Sequence, residues 1–306
     1  MHLLIAISNR DCTKLVNTLQ AYLPGVEISL WPDCRNLHTV EFVVAWLAPE
    51  QMWQQLPNLK AVSSFGAGVD SIKLDLLADD VVVTRIVDEV LADDMAEYVL
   101  THILAQKLKL KEYFSKQRAQ LWQPKRAHKF NHVVFLGFGQ LGQHCAKRLL
   151  ANNFVVSAFS QSPKQFTNVT CVHTQEGLTN ILSKADYLVC LLPLTPQTRN
   201  IIDKAFLTQL PEHAVVINVS RGQHIVEEDL IWALDNKVIR AATLDVFRQE
   251  PLAKEHPFWS HDAITVTPHC AALSSITSVA QQIAENVQRL GKRLELNHQV
   301  DRTKGY

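Results

Sequence analysis

The chain carries no surplus of charge. Lysine plus arginine number 30 and aspartate plus glutamate 30 in 306 residues, a formal charge of zero. That balance removes the global electrostatic case for nucleic acid or an anionic membrane as partner. The one basic stretch, residues 107–129, reads as a solvated helix face and linker. No run approaches the roughly 18 apolar residues of a membrane span. The start, Met1-His2-Leu3-Leu4-Ile5-Ala6-Ile7, lacks the basic region of a secretory leader and reads as a first strand. Six cysteines, at 12, 34, 145, 171, 190 and 270, make no C-x-x-C pair and no metal-ligand spacing. They are expected to be buried thiols of a reducing, cytoplasmic compartment, with no metal. Repeats and low-complexity segments are absent. What is left is a chain long enough for two domains with sizeable cores.

Against those absences one motif stands out. His132-Val133-Val134-Phe135-Leu136 runs directly into Gly137-Phe138-Gly139-Gln140-Leu141-Gly142, and residues 143–152 continue with apolar groups at helical spacing. A strand that ends in G-x-G-x-x-G and opens a helix holds a dinucleotide pyrophosphate. The first glycine makes the tight turn, the second admits backbone to phosphate, and the third lets helix and strand pack. The same residues also serve as plain turn and packing positions, so the motif alone decides little. A second strand at 154–159 completes a βαβ unit.

Strands expected at 3–7, 26–30, 42–46, 61–64 and 81–84 alternate with helices in the N-terminal part, a doubly wound pattern. Residues 92–116 read as one long helix, a crossing between domains and a candidate dimer interface. Beyond the βαβ unit, near-continuous apolar runs at 187–192, 214–219, 240–244 and 263–266 suit parallel strands covered on both faces. Residues 274–294 read as a helix carrying the chain back to the first domain. The division is 1–97 and 277–306 for a substrate domain and 98–276 for the cofactor domain. Both are doubly wound parallel α/β sheets, a Rossmann domain inserted into a flavodoxin-like one.

Open α/β sheets bind ligands beyond the carboxyl ends of their strands. Three strand ends carry Ser220-Arg221-Gly222, Asp245-Val246-Phe247 followed by Glu250-Pro251-Leu252, and Pro268-His269-Cys270-Ala271-Ala272. Together with the glycine fingerprint and Gly66-Ala67-Gly68-Val69-Asp70, these segments resemble the D-2-hydroxyacid dehydrogenase family, whose hallmarks are (S/A)RG, DVFxxEPL and PHxA. The tail Gln299-Val300-Asp301-Arg302 and Gly305-Tyr306, Trp46 and the short length are most similar to members that reduce glyoxylate and hydroxypyruvate. The resemblance spans nearly the whole chain and implies a homodimer with a small keto acid as partner. It departs after the histidine, where Ser274-Ser275 stands in place of Thr-Arg.

The roles implied make chemical sense. Reducing a 2-keto acid to a hydroxy acid, glyoxylate to glycolate or hydroxypyruvate to glycerate, needs hydride at the carbonyl carbon and a proton at its oxygen. Histidine, with an unperturbed pKa of about 6.5, suits the proton. A carboxylate beside it fixes the ring and favours imidazolium. His269 and Glu250 are assigned that dyad, and Arg221 the grip on keto oxygen and carboxylate. Ala67 and Gly68 would offer backbone N–H groups to the substrate carboxylate, with Trp46 as a pocket wall or core filler. By resemblance Leu192, Pro193, Thr198 and Val219 border the cofactor, and Asp245 meets the nicotinamide carboxamide. After the second strand the chain reads Ser160-Gln161-Ser162-Pro163-Lys164, with no acid to bind a ribose 2′-hydroxyl. Ser160, Ser162 and Lys164 suit a 2′-phosphate, which favours NADPH over NADH. Two other readings keep the fold: a nonenzymatic dinucleotide-sensing or corepressor-like scaffold, and a dehydrogenase for formate or phosphite.

Overall fold

A computed structural model describes residues 1–305; Tyr306, the last residue of the tail used above, lies outside the described residues. The chain divides into two compact units, Met1–Val90 with Ser274–Tyr306, and Leu91–Leu273.

In the first unit β1 (His2–Ile7) leads to α1 (Thr13–Tyr22), β2 (Glu27–Leu30), β3 (Val40–Trp46), α2 (Glu50–Trp53), β4 (Ala61–Ser64) and β5 (Val82–Thr84). Every pairing is parallel, in the order β2-β1-β3-β4-β5. That is the flavodoxin-like order, and its reversal point lies between β1 and β3. β3 is apolar almost throughout because both of its faces are covered.

The second unit follows with α3 (Glu89–Lys107), α4 (Leu110–Arg118), β6 (His132–Leu136), α5 (Gln140–Ala151), β7 (Val155–Phe159), β8 (Val169–Val172), α6 (Gln175–Leu182), β9 (Tyr187–Cys190), α7 (Lys204–Leu207), β10 (Val215–Asn218), α8 (Glu227–Asp235), β11 (Ala241–Leu244) and β12 (Ile264–Val266). Its sheet is parallel, ordered β12-β11-β10-β9-β6-β7-β8. Counted within the unit this is 7-6-5-4-1-2-3, the Rossmann order with one strand added, and the reversal lies between β6 and β9. The fingerprint follows β6, so it opens at that crevice. α5 buries Cys145, Ala146 and Leu149 against Val133 and Phe135 of β6. Truncating one such leucine to alanine costs about 2–5 kcal/mol.

α9 (Ile276–Gly291) then packs Val279, Ile283 and Val287, spaced one turn apart, against Leu15 and Leu19 of α1 in the first unit. Both termini of the chain therefore share one core. Arg302 holds the tail down by donating to the carbonyls of Leu74 and Leu77, each at 2.9 Å.

Three expectations need correction. The helix expected over 92–116 is two helices, because Lys109 takes a left-handed conformation (φ 60°) between α3 and α4. The break frees the Lys107 carbonyl for the His128 N–H (2.9 Å) and lets Lys111 Nζ reach the Ile264 carbonyl. The cysteines are all free, yet only Cys145 and Cys190 are buried, and Cys270 is exposed because it sits at a strand end. Finally β8 was not expected: as an edge strand it is only half covered and shows no apolar run. No helix among the described residues is long and apolar enough to cross a membrane.

Candidate active site

The three glycines of the fingerprint do three different jobs. Gly137 sits at φ +92°, and a Cβ there would lie 2.7 Å from the Leu191 backbone. Gly142 faces the Gly137 carbonyl, which a Cβ would meet at 2.8 Å. Gly139, the N-cap of α5, has nothing within 4 Å of its absent Cβ, and no side chain caps the helix. Space is left open where the uncapped N–H groups of the first turn, at Gln140, Leu141 and Gly142, converge. A cradle of that form fits a phosphate. At the end of β7 no carboxylate is present. Ser160 is buried and donates its hydroxyl to the Ser162 carbonyl (2.7 Å), so it fixes the turn and directs no donor outward in this arrangement. The Ser162 side chain is exposed and Lys164 partly so.

Leu192 and Pro193 leave the end of β9. Thr198 closes their loop, donating to the Pro193 carbonyl (2.7 Å) and accepting from the Thr195 N–H (2.8 Å). Val219 is buried just past β10.

Arg221 follows β10 directly. Its Nη1 donates to the Ser220 carbonyl (2.6 Å), and Asn218 Nδ2 donates to the Arg221 carbonyl (2.8 Å). Gly222 is the most crowded glycine described: a Cβ would lie 1.9 Å from the Phe247 carbonyl carbon. Only glycine lets the Arg221 loop approach the loop beyond β11 this closely.

That second loop carries Glu250. One carboxylate oxygen accepts the Phe247 N–H (3.0 Å), and the other lies 2.7 Å from His269 Nδ1. Burial pushes the Glu250 carboxyl up. The His269 hydrogen bond, the Phe247 N–H and the charges of His269 and Arg221 outweigh it and hold the group below its ordinary value. Both partners remain partly exposed, at 42% and 36% for His269 and Glu250. With Nδ1 on the carboxylate, Nε2 is the nitrogen left for a reacting oxygen.

His269 has φ 52°, a left-handed conformation that costs of order 1 kcal/mol in a non-glycine residue. Its N–H is tied to the carbonyls of Asp245 (2.8 Å) and Thr267 (3.1 Å). Asp245 does most to hold this turn. It is 1% exposed and accepts from the Thr267 hydroxyl (2.6 Å) and the Cys270 N–H (2.9 Å) on one oxygen and the Ala271 N–H (2.9 Å) on the other. Thr267 in turn accepts from the Tyr98 hydroxyl on α3 (2.5 Å), and burial raises the Tyr98 pKa well above its usual value. Asn218, Thr267 and Tyr98 were not singled out from sequence, whereas Gly222 closes the Ser220-Arg221-Gly222 motif. Thr267 adjoins a recognised motif, and nothing near Tyr98 marks it.

In the first unit the end of β4 is organised by Ser64, which donates to the Gly68 carbonyl (2.6 Å) and accepts the Gly66 N–H (3.2 Å). Gly66 lies against Trp46 at the end of β3, where a Cβ would meet the indole at 3.0 Å. Trp46 and the loop containing Ala67 and Gly68 therefore share one edge of this sheet. Among the described residues no group of three or more His, Cys, Asp or Glu is arranged to hold a metal.

A family model described as D-isomer specific 2-hydroxyacid dehydrogenase, NAD binding domain, matches residues 100–271. Glyoxylate/hydroxypyruvate reductase A of Yersinia enterocolitica is 36% identical over 305 residues, covering 97% of each chain. The crystal structure of a D-isomer specific 2-hydroxyacid dehydrogenase from Xanthobacter autotrophicus Py2, in complex with NADPH and MES, is 34% identical with TM-score 0.93, covering 100% of this chain and 99% of that one. The NADPH-dependent glyoxylate/hydroxypyruvate reductase of Sinorhizobium meliloti, crystallised with NADP and sulfate, is 32% identical with TM-score 0.92 over 100% and 99% of the two chains.

Proposed function

We infer the function from one premise: the chain belongs to the D-isomer specific 2-hydroxyacid dehydrogenase family. It is an oxidoreductase that reduces glyoxylate and hydroxypyruvate with NADPH. The observation that carries this reading is the 2.7 Å pair of His269 and Glu250 beside Arg221, at the strand ends of a sheet with a dinucleotide fingerprint. Similarity to the reductases above supports the substrates and the cofactor. No observation favours a nonenzymatic dinucleotide sensor.

The bound nicotinamide supplies hydride to the carbonyl carbon. The protein's residues do the rest. His269, as imidazolium, gives its Nε2 proton to the keto oxygen as the carbon–oxygen double bond becomes a single bond. Glu250 holds Nδ1–H and balances the ring's charge, so the transferable proton stays on Nε2. Arg221 binds the carboxylate and polarises the carbonyl through its planar fork. Trp46, Ala67 and Gly68 serve the substrate. Gly137, Gly139, Gln140, Leu141 and Gly142 hold pyrophosphate, and Ser162 and Lys164 meet the 2′-phosphate with Ser160 shaping their turn. Leu192, Pro193, Thr198, Val219 and Asp245 frame the nicotinamide half. The first unit is thereby the substrate domain and the second the cofactor domain.

The protein is a homodimer in this reading. Phe114, Leu121 and Trp122 support it, as exposed apolar side chains in and just beyond α4, Trp122 being 97% exposed. Free thiols support a reducing, cytoplasmic setting. A panel of keto acids assayed with NADPH and with NADH tests the function. Turnover of glyoxylate and hydroxypyruvate with NADPH is expected, and its absence with every acid contradicts the reading.

A further inference from the structure

One fully buried histidine beside Arg221 has no role above. β9 and β10 are adjacent parallel strands whose last residues, Cys190 and Asn218, stand opposite each other. The chain past β10 runs through Ser220 and Arg221 into one tight helical turn, Gly222–His224. His224 and Cys190 are both 0% exposed, and every group involved belongs to the second unit. His224 Nδ1 lies 3.0 Å from the Arg221 carbonyl and 2.9 Å from the Ser220 hydroxyl, and Nε2 lies 3.3 Å from the Pro193 carbonyl. The Ser220 hydroxyl lies 3.3 Å from Cys190 Sγ. One ring thus bridges the loop that carries Arg221 and the loop that leaves β9.

A carbonyl oxygen only accepts, so one at each ring nitrogen calls for a proton on both. A neutral imidazole would aim a lone pair at one of the two. A buried imidazolium in turn needs a balancing charge. Arg221 and Arg248 cannot supply it, being cationic, and Arg248 donates to the Ile225 carbonyl (2.9 Å). The carboxylates of Asp245 and Glu250 are committed to the turn at His269 and to His269 itself. That leaves Cys190, at the end of β9. Burial pushes its thiol up, but the charge and hydrogen bond of His224 outweigh burial and hold it below its ordinary value. Burial likewise pulls His224 down, and Cys190 with the two carbonyls holds it above its ordinary value.

We propose that His224 is a positioning residue: an imidazolium, balanced by a Cys190 thiolate, that pins the backbones of Arg221 and Pro193 to one ring. The arginine that binds the keto acid and the segment that borders the cofactor are then set by the same group. This rests on the keto-acid reductase reading.

The test reads charge first and function second. At about pH 7 the native wild-type protein should show the ultraviolet absorbance of one thiolate, which disappears on denaturation because an unfolded cysteine returns to a pKa of about 8.5. Nitrogen NMR at the same pH should find both His224 ring nitrogens protonated, the resonances being those missing from His224→Gln. Cys190→Ala removes the balancing charge and should leave the ring with one proton. Both variants should raise KM for hydroxypyruvate and Kd for NADPH at least about tenfold, the scale of one hydrogen bond from a charged group. A missing thiolate signal in wild type overturns the proposal and needs no variant to fold. A singly protonated ring in wild type overturns it, as does a ring that keeps both protons in Cys190→Ala. So do KM and Kd within threefold of wild type in both variants. If no keto acid is turned over while the charged ring and its effect on Kd remain, the reductase reading fails and the positioning role stands.

Discussion

Replacing Asp245 by Asn changes one atom's character at a point where three donors meet. The asparagine carbonyl can keep the Thr267 hydroxyl and the Cys270 N–H. Its NH₂ group then faces the Ala271 N–H, now 2.9 Å from a donor and not an acceptor. A buried N–H left without a partner costs about 1–3 kcal/mol. The two retained bonds lose their charge assistance, about 1 kcal/mol each. A total of about 3–5 kcal/mol follows, and for a unit of this size that is a fall of roughly 6–20 °C in Tm. The strain at His269 (φ 52°) is held by this same turn, so the ring should leave its catalytic position and kcat should drop at least about tenfold. Scanning calorimetry and steady-state turnover, measured on the same preparation, read both effects. A Tm within 2 °C and a kcat within threefold of wild type would refute the assignment of Asp245 to the turn. A raised KM for NADPH with unchanged melting would place its role at the nicotinamide alone.

Arg221→Lys should reduce kcat/KM by at least about thirtyfold, near 2 kcal/mol, because one ammonium cannot reproduce a fork that binds two oxygens; a loss under threefold makes the arginine structural. Glu250 is held below its ordinary value, so the stability it lends is full above the unfolded pKa of about 4.3 and is lost as pH falls through the folded one. The Tm difference between wild type and Glu250→Gln should accordingly narrow as pH falls below about 4.3; a gap that widens in acid contradicts this. Lys164→Ala should cut the NADPH-over-NADH preference about tenfold, the scale of one hydrogen bond to a charged group, as read from the two kcat/KM values, and an unchanged ratio excludes Lys164 from the 2′-phosphate.

The parts legible in the sequence are those where one residue type answers one local demand. Gly137 must adopt a positive φ, and the buried parallel strands read as apolar runs, so fingerprint and sheet were visible together. Arg221, Glu250 and His269 could be found because strand ends are short polar interruptions between those runs. What stayed hidden depends on distant partners. Nothing around Lys109 announces a left-handed break, since no glycine or proline stands there. The need for glycine at 222 comes from the Phe247 backbone, 25 residues away in sequence. Asp245 reads as a ligand group by position, yet its oxygens are engaged by Thr267, Cys270 and Ala271.

The central claim is that His269, oriented by Glu250, delivers the proton to a keto acid. NADPH oxidation with saturating hydroxypyruvate, followed in wild type and His269→Ala, tests it most directly. Loss of general acid catalysis predicts a kcat about 10²–10⁴-fold lower with an unchanged Kd for NADPH. Turnover of His269→Ala within threefold of wild type would contradict it.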